Sequence, residues 1–196
     1  MPNTKAPQDE RLIFLDRDGT IIVERHYLRD PAEVALELHA AEGLRMLSDA
    51  GFRLVVVSNQ SGVGKGRLTF TDVVSVNRRV DELLRLDGVV VSGWYFCPHD
   101  SEDNCHCRKP ADGMIRQAVA DYTVSLPDCF MIGDKSSDLQ LANNTGMRGI
   151  LVATGYGSTA ENRLAARKLG FPVCSSIKEA AGWILDRVQH QLPDTP

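Results

Sequence analysis

The 196-residue sequence lacks the features that mark membrane, secreted and nucleic-acid-binding proteins. No apolar run is long enough to cross a bilayer, and the polar beginning MPNTKAPQDERL lacks the apolar core of a signal peptide. Basic residues are too few to outnumber acidic ones, 22 against 26, so no overall positive field attracts nucleic acid. We therefore expect a cytoplasmic monomer with neither a membrane nor a nucleic-acid partner.

Cysteine is scarce, but three of the five cysteines lie in one short stretch, FCPHDSEDNCHCRKP, residues 96–110. In a reducing compartment such a cluster binds metal more often than it forms disulfides. The alternative is a reduced cysteine-rich loop. The two isolated cysteines, Cys129 and Cys174, are predicted to be small buried hydrophobes. The side chains that could close a tetrahedral metal site are Cys97, His99, Cys105 and Cys107, with His106 pointing away.

Short apolar runs alternate along the chain with segments in which apolar residues recur at helical spacing. This alternation is typical of an α/β domain whose mainly parallel sheet is covered by helices on both faces. No linker or repeat interrupts it, so we predict one domain, 1–196, whose best candidate insertion is the cysteine loop, 97–109. The predicted strands lie within 12–15, 54–57, 89–99, 129–134 and 148–157, and the predicted helices within 40–51, 71–88, 112–124, 135–147, 159–170 and 176–189.

The predicted strands end in polar residues, in the segments DRDGT, SNQSG, CPH and GDKSSD. In parallel sheets ligands bind beyond the carboxyl ends of the strands, so these four segments should meet at one edge. Asp16 and Asp18, two residues apart after a strand, can face one pocket. One carboxylate could attack phosphorus while the other protonates the leaving oxygen. The alternative is a solvated turn.

The segments GDKSSD and SNQSG could supply a metal and a phosphate site. Asp134 could join Asp16 and the backbone carbonyl of Asp18 in holding Mg²⁺, a hard ion that prefers oxygen. Asp138 could take part, or could simply favour a helix dipole in the first turn. The phosphate cradle would be built from Ser58, Asn59, Ser61 and the N–H groups beside them, with Lys109 neutralising the transferring phosphoryl group.

The segments FLDRDGT, SNQSG, RKP and IGDKSSDLQLA resemble, in order, the four motifs of the haloacid dehalogenase-like (HAD) hydrolase superfamily. The resemblance implies a three-layer Rossmann-like fold, here without a large cap domain. It makes Asp16 the nucleophile and Asp18 the general acid and base. Ser58 and Lys109 would stabilise the phosphoryl group, and Mg²⁺ would be bound by Asp16, Asp18 and Asp134.

The C-x-H…C-x-C loop before RKP resembles the small zinc-loop branch of this superfamily. Four protein ligands leave zinc no open position, so this zinc would be structural. It would brace a polar loop that lacks a core of its own and fix Arg108 and Lys109.

The branch implies a small phosphorylated sugar as substrate, released from an aspartyl-phosphate. The segments NQSGVGKG and ERHYL resemble those of the enzymes that act on heptose 1,7-bisphosphate, and this resemblance favours that substrate. The short gap between His99 and Cys105 is also typical of histidinol-phosphate phosphatases. The same motifs would also suit a phosphotransferase or a non-catalytic phosphate-binding module. By this resemblance the substrate-binding residues would be Glu24, Arg25, His26, Tyr27, Ser58, Asn59, Gln60, Ser61, Arg108, Lys109 and Lys135.

Overall fold

A computed structural model describes residues 10–189, in which six parallel strands form one sheet between two layers of helices. The strands are β1 (Leu12–Leu15), β2 (Arg53–Asn59), β3 (Val91–Cys97), β4 (Phe130–Gly133), β5 (Arg148–Val152) and β6 (Val173–Cys174). The helices are α1 (Ala40–Asp49), α2 (Phe70–Leu86), α3 (Gly113–Asp121), α4 (Ser136–Thr145), α5 (Ala160–Leu169) and α6 (Ile177–Gln189).

The strand order β3-β2-β1-β4-β5-β6 places β1 at the point where the chain changes direction across the sheet. Phe14 of β1 pairs with Val55 of β2 on one side and with Met131 of β4 on the other. Open α/β sheets bind ligands at such a switch point, beyond the strand ends. The site is therefore expected between the loops that follow β1, β2 and β4.

Both faces of the sheet are buried, because successive side chains of each strand point to opposite layers. Ile13 and Leu15 pack on one face with apolar residues of α1, α2 and α6. Leu12 and Phe14 pack on the other face with α3 and α4, and α5 covers Leu151 at the end of that layer. Cores on both faces make the strands a rigid support for the loops at their ends.

The predicted α/β class and the parallel sheet are confirmed, with one element missed. The sixth strand has only two residues, Val173 and Cys174, which is too short for a recognisable apolar run. Cys129 and Cys174 are buried, as predicted.

Two segments that could have held a cap, 16–39 and 98–112, contain only one 3-10 turn each, so no large cap is present there. The single-domain assignment stays a prediction, because residues 1–9 and 190–196 lie outside the described residues. No helix between residues 10 and 189 is long and apolar enough to span a membrane.

Candidate active site

Asp16, the first residue after β1, is buried and contacts groups that stabilise its negative charge. Its Oδ1 accepts a hydrogen bond from the backbone N–H of Arg17 at 2.8 Å and lies 2.9 Å from Nζ of Lys109. Burial alone would raise the pKa of Asp16, but the positive charges of Lys109 and Lys135 outweigh burial and lower it. The side chain is therefore held as a carboxylate, the form that can attack phosphorus.

Lys109 reaches this carboxylate from the loop that follows β3, and it is itself buried. Its Nζ lies 2.6 Å from Oδ1 of Asp138 as well as beside Asp16. Burial would lower the pKa of Lys109, but these two carboxylates raise it, so the ammonium stays charged.

The main chain of Lys109 is fixed by Asn59, the last residue of β2. The Lys109 N–H donates to Asn59 Oδ1 at 3.0 Å, and Asn59 Nδ2 donates to the Lys109 carbonyl at 3.1 Å. Asn59 was predicted to bind substrate, and it lines the cavity. Its amide also ties the end of β2 to the loop that carries Lys109.

A buried acidic group of Asp16, Asp134 and Asp138 suits a hard divalent cation. One carboxylate oxygen of each residue lies within 4.8 Å of the others. Asp134 accepts a hydrogen bond from the Tyr156 N–H at its Oδ2, but its buried Oδ1 has no hydrogen-bond partner among residues 10–189. Burial, with a contribution from the charge of Asp16, raises the pKa of Asp134 to about 8. A cation would compensate this excess of carboxylate, so the residues fit Mg²⁺.

Asp18 faces a different set of partners and is not a member of this acidic group. Its carboxylate accepts hydrogen bonds from Arg17 and, at 2.8 Å, from Nε2 of Gln60. The same Gln60 nitrogen donates to the Ser58 hydroxyl at 2.8 Å. The Asp18 side chain is thus directed away from the acidic group, and a metal contact through its carbonyl stays a prediction.

A cavity of about 370 Å³ lies at the predicted edge of the sheet, and Asp16, Asp18 and Lys109 line it. Asp134 and Asp138 are fully buried and are not among its lining residues. Of the residues predicted to bind substrate, only Arg25 does not line it; Arg25 is exposed. Tyr27 lines it with a left-handed backbone, φ 57°. The predicted residues that the structure brings together around the cavity are Asp16, Asp18, Glu24, His26, Tyr27, Ser58, Asn59, Gln60, Ser61, Arg108, Lys109 and Lys135.

Lys135 and Arg108, both predicted to bind substrate, differ in their surroundings. Lys135 Nζ lies 3.2 Å from Glu24 and 4.8 Å from the centre of the Tyr156 ring. Burial would lower the pKa of Lys135, but Asp16, Asp134 and Glu24 together raise it, so the ammonium stays charged. Its Nζ also lies 3.9 Å from Oδ1 of Asp134, beside the acidic group. Arg108 makes only a long contact, 3.4 Å, from its guanidinium to the His99 carbonyl, and no ion pair with any described residue.

The predicted zinc ligands converge at the end of β3. Separations between neighbouring donor atoms run from 3.2 Å, between His99 Nδ1 and Cys107 Sγ, to 3.6 Å, between Cys107 Sγ and Cys105 Sγ. Zinc–ligand bonds of about 2.0–2.3 Å give a tetrahedron with edges of roughly 3.3–3.8 Å. The donor set Cys97, His99, Cys105 and Cys107 therefore fits zinc, and His106 is exposed and outside this group.

One thiol of the cluster, that of Cys105, has a lowered pKa. Burial acts to raise the pKa of the Cys105 thiol, but the backbone N–H groups of Cys107 and Arg108 lower it to about 7. Burial raises the pKa of Cys97, so this thiol needs a cation before it loses its proton. A closed set of four protein ligands supplies no position for a substrate, which favours a structural metal.

The zinc loop is attached to the loop that follows β2. Gln60 N–H donates to the Cys97 carbonyl at 2.7 Å, and Gly64 N–H donates to the Pro98 carbonyl at 2.8 Å. Lys65 Nζ lies 3.3 Å from Asp100 Oδ1. The phosphate-cradle candidates and the metal loop thus form one continuous wall of the cavity.

Known proteins are similar to this chain in sequence and in fold. A HAD-hydrolase-like family model matches residues 106–180. The D-glycero-beta-D-manno-heptose-1,7-bisphosphate 7-phosphatase of Yersinia pestis is 38% identical over 163 residues, which cover 79% of this chain and 86% of that protein. The chain belongs to this family of HAD-like phosphatases.

Two further comparisons agree with this membership. The enzyme of the same name from Helicobacter pylori strain J99 is 33% identical over 175 residues, covering 89% of this chain and 97% of that one. The crystal structure of D,D-heptose 1.7-bisphosphate phosphatase from B. bronchiseptica, complexed with magnesium and phosphate, superposes with a TM-score of 0.81 at 30% identity. The superposition covers 90% of this chain and 99% of the B. bronchiseptica chain.

In this HAD-like phosphatase several cavity residues were not predicted from the sequence. Tyr156 follows β5, whose end was not expected to contribute, and it reaches His26 across the cavity mouth, 3.2 Å from OH to Nε2. The signal that could have found it is its place after a strand end, in ATGYG. The unpredicted lining residues are Arg17, Leu28, Gly62, Ser137 and Tyr156.

Proposed function

We propose that this protein removes the 7-phosphate of D-glycero-D-manno-heptose 1,7-bisphosphate through an aspartyl-phosphate, with Mg²⁺ as cofactor. The observation that carries the proposal is the buried Asp16 carboxylate, paired with Lys109 beside an acidic group that fits a divalent cation. The names of the relatives supply the substrate, and those from Yersinia pestis and Helicobacter pylori specify the β anomer. We therefore propose the β anomer for this chain.

The residues of the chain divide the reaction between them. Asp16 attacks the phosphorus while the bond to the sugar oxygen breaks, and Asp18 gives that oxygen a proton. Water then attacks the phosphorus of the aspartyl-phosphate and transfers a proton to Asp18, which frees Asp16. Lys109 and Ser58 neutralise or hydrogen-bond the phosphoryl oxygens. Bound Mg²⁺, held by Asp16, Asp134 and either Asp138 or the Asp18 carbonyl, would withdraw charge from the same oxygens.

The cavity also suggests how the substrate lies. The reacting phosphate belongs beside Asp16 and Lys109, where Lys135 adds positive charge. The second phosphate needs a cation that is not already paired, and Arg108, which lines the cavity and forms no ion pair with a described residue, provides one. The sugar would then lie along the loop that contains His26 and Tyr27.

Zinc in the four-ligand site would hold Arg108 and Lys109 in place and would take no part in the chemistry. Cytoplasmic location and a monomeric state stay predictions from the sequence.

Phosphate release from both anomers of heptose 1,7-bisphosphate and from histidinol phosphate, measured in parallel with Mg²⁺, tests the proposal. We expect the β anomer to have the highest kcat/KM, because the names of the Yersinia pestis and Helicobacter pylori relatives specify that anomer. Arg108→Ala should raise KM for the bisphosphate and leave KM for heptose 7-phosphate nearly unchanged. A preference for histidinol phosphate would contradict the heptose proposal while leaving the phosphatase chemistry in place.

A further inference from the structure

Arg17, between the two aspartates of DRD, is one of the largest fully buried side chains of the structure. Its guanidinium turns back onto the neighbouring Asp18, with Nε donating to Oδ2 at 3.1 Å and Nη2 donating to Oδ1 at 3.1 Å. On the far side, Nη1 donates to Oδ1 of Asn77 in α2 at 2.7 Å. Hydrogen bonds thus hold the Arg17 guanidinium on both sides, to Asp18 and to Asn77 of α2.

The two oxygens of Asp18 are not equivalent. A carboxylate oxygen offers about two lone-pair positions. Oδ2 accepts from Arg17 Nε and from Gln60 Nε2, and Arg17 Nη2 lies 2.9 Å from it as well. Oδ1 accepts only from Arg17 Nη2 among the described residues. Oδ2 is therefore fully engaged, and Oδ1 has a lone pair available.

We infer that Arg17, held in place by Asn77, is a positioning residue for Asp18. Hydrogen bonds from Arg17 and Gln60 occupy Oδ2 of Asp18 and leave Oδ1 as the atom that transfers the proton. This inference rests on the proposed function, in which Asp18 is the general acid and base. In the first step the proton moves from Oδ1 to the departing sugar oxygen as the P–O bond breaks. In the second, water gives its proton back to Oδ1 as it attacks phosphorus.

The charge of Arg17 suits this role. As Asp18 gives up its proton it becomes a carboxylate, and a guanidinium already in place stabilises that charge without rearranging. Burying an arginine carries a desolvation cost that a single ion pair only roughly offsets. Arg17 could still serve stability alone, by tying the end of β1 to α2. The two roles differ in which substrates a variant would affect.

Two variants and two substrates separate them. Asn77→Ala removes the hydrogen-bond acceptor of Arg17 that lies outside the cavity. Arg17→Lys keeps the positive charge but loses the paired hydrogen bonds that the guanidinium makes to Asp18. Asn143→Ala is the matched control, since this exposed side chain hydrogen-bonds to no described residue. The substrates are the heptose bisphosphate, whose sugar oxygen must be protonated to leave, and 4-nitrophenyl phosphate, whose phenolate leaves without a proton. The measured quantity is kcat/KM, which covers the steps up to the aspartyl-phosphate.

For the heptose bisphosphate we expect kcat/KM to fall about tenfold in Asn77→Ala and about a hundredfold in Arg17→Lys, through kcat rather than KM. For 4-nitrophenyl phosphate we expect a fall of less than about threefold. Equal losses on both substrates, or a lower Tm with an unchanged ratio of the two rates, would overturn the inference. The wild-type rate on the heptose bisphosphate separately tests the proposed function. If another sugar phosphate is the one hydrolysed, it takes the place of the heptose bisphosphate in the comparison with 4-nitrophenyl phosphate.

Discussion

Lys109 shows how a buried lysine can remain charged at the edge of a sheet. The ammonium lies between Asp16 and Asp138, and these carboxylates supply the stabilisation that water would otherwise give. Both protein partners are fixed, Asp16 at the end of β1 and Asp138 in the first turn of α4. A phosphate that enters the cavity therefore meets a cation that does not have to move, which is what stabilising a transferring phosphoryl group requires.

Replacing the nucleophile gives the first prediction at this scale. Asp16→Asn should lower kcat by at least about 10³-fold, because the amide cannot form the aspartyl-phosphate. Zinc content should stay close to wild type, because Asp16 is not one of the predicted zinc ligands, whereas Tm should fall, because the buried Lys109 loses one of its two carboxylate partners. Phosphate release, metal analysis and thermal unfolding measure the three quantities. Asp128→Asn, an exposed position, is the matched control. Substantial activity in Asp16→Asn would mean that another group attacks the phosphorus.

The sequence predicted the kinds of residue in the site better than it predicted their partners. Asp134 could be assigned to the site because it follows a strand end, and Lys109 because it follows the cysteine cluster. The pairing of Lys135 with Glu24 joins residues 111 positions apart, which no local pattern reveals. Asp138 lies in the first turn of α4, where it accepts from the Lys135 N–H, and it also pairs with Lys109, which the sequence did not suggest. Its part in holding Mg²⁺ stays a prediction.

Among the elements, the cysteine loop is the one whose structure we expect to depend most on a bound ion. Residues 98–112 contain one 3-10 turn and no regular strand, and the charged side chains of DSEDN face outward. The apolar anchor is Cys97, which is buried at the end of β3. Four metal bonds would supply the constraint that a loop of this composition cannot gain from packing.

Cys105→Ser tests this dependence. We expect zinc to be lost and Tm to fall by roughly 6–12 °C, which corresponds to ~3 kcal/mol in a domain of this size. Activity should fall as well, because Lys109 is carried by the same loop. Cys174→Ala is the control, a buried cysteine outside the cluster, and it should keep its zinc. A Cys105→Ser protein with unchanged Tm would show that the loop does not need the metal.

Helix α2 begins at Phe70, one residue before the start that the apolar pattern predicted, and a cap explains why. The Thr69 hydroxyl accepts from the Asp72 N–H at 3.1 Å, and the Asp72 carboxylate accepts from the Thr69 N–H at 2.7 Å. This reciprocal capping box is recognisable in the sequence as Thr-x-x-Asp in LTFTDVV. It fixes the beginning of the helix that carries Asn77.

Loss of this cap should weaken the helix measurably. Thr69→Ala should lower the free energy of unfolding by about 1 kcal/mol, because an N–H at the helix start loses its acceptor. Thr71→Ala, also exposed and two positions further on, removes a hydroxyl that is not part of the cap and should cost much less. Urea unfolding of the two variants gives the comparison. Equal effects would indicate that threonine content, and not the cap, matters here.

The limits of prediction for the elements follow from their length. The buried strands β1, β2 and β4 show continuous apolar runs, because both faces of a covered sheet exclude water. The strand β6 has two residues and is defined by its pairing with Leu151 and Val152 of β5, so it exists only in the folded chain. Its sequence, Val-Cys after a proline, carries no strand signal of its own.

For the whole molecule, the chain places two different kinds of candidate metal site on one edge of its sheet. The acidic group offers hard oxygen ligands and reaches the cavity through Asp16, whereas the cysteine group would close around an ion with four ligands. The loop that carries Lys109 connects them, so one site supports the other without sharing a ligand. Mg²⁺ keeps several waters and exchanges readily, while a thiolate-bound zinc does not.

Metal removal should therefore separate the two ions in the intact protein. Brief treatment with EDTA followed by gel filtration should abolish phosphate release while leaving zinc bound, because only the acidic site is open to the chelator. Adding Mg²⁺ alone should restore the activity, since Lys109 and the zinc loop have not moved. Metal analysis and activity on the same samples measure both effects, with a zinc-chelating dye detecting any release. If zinc leaves together with the activity and Mg²⁺ alone cannot restore it, the cysteine site is not an independent structural support but is opened during the reaction.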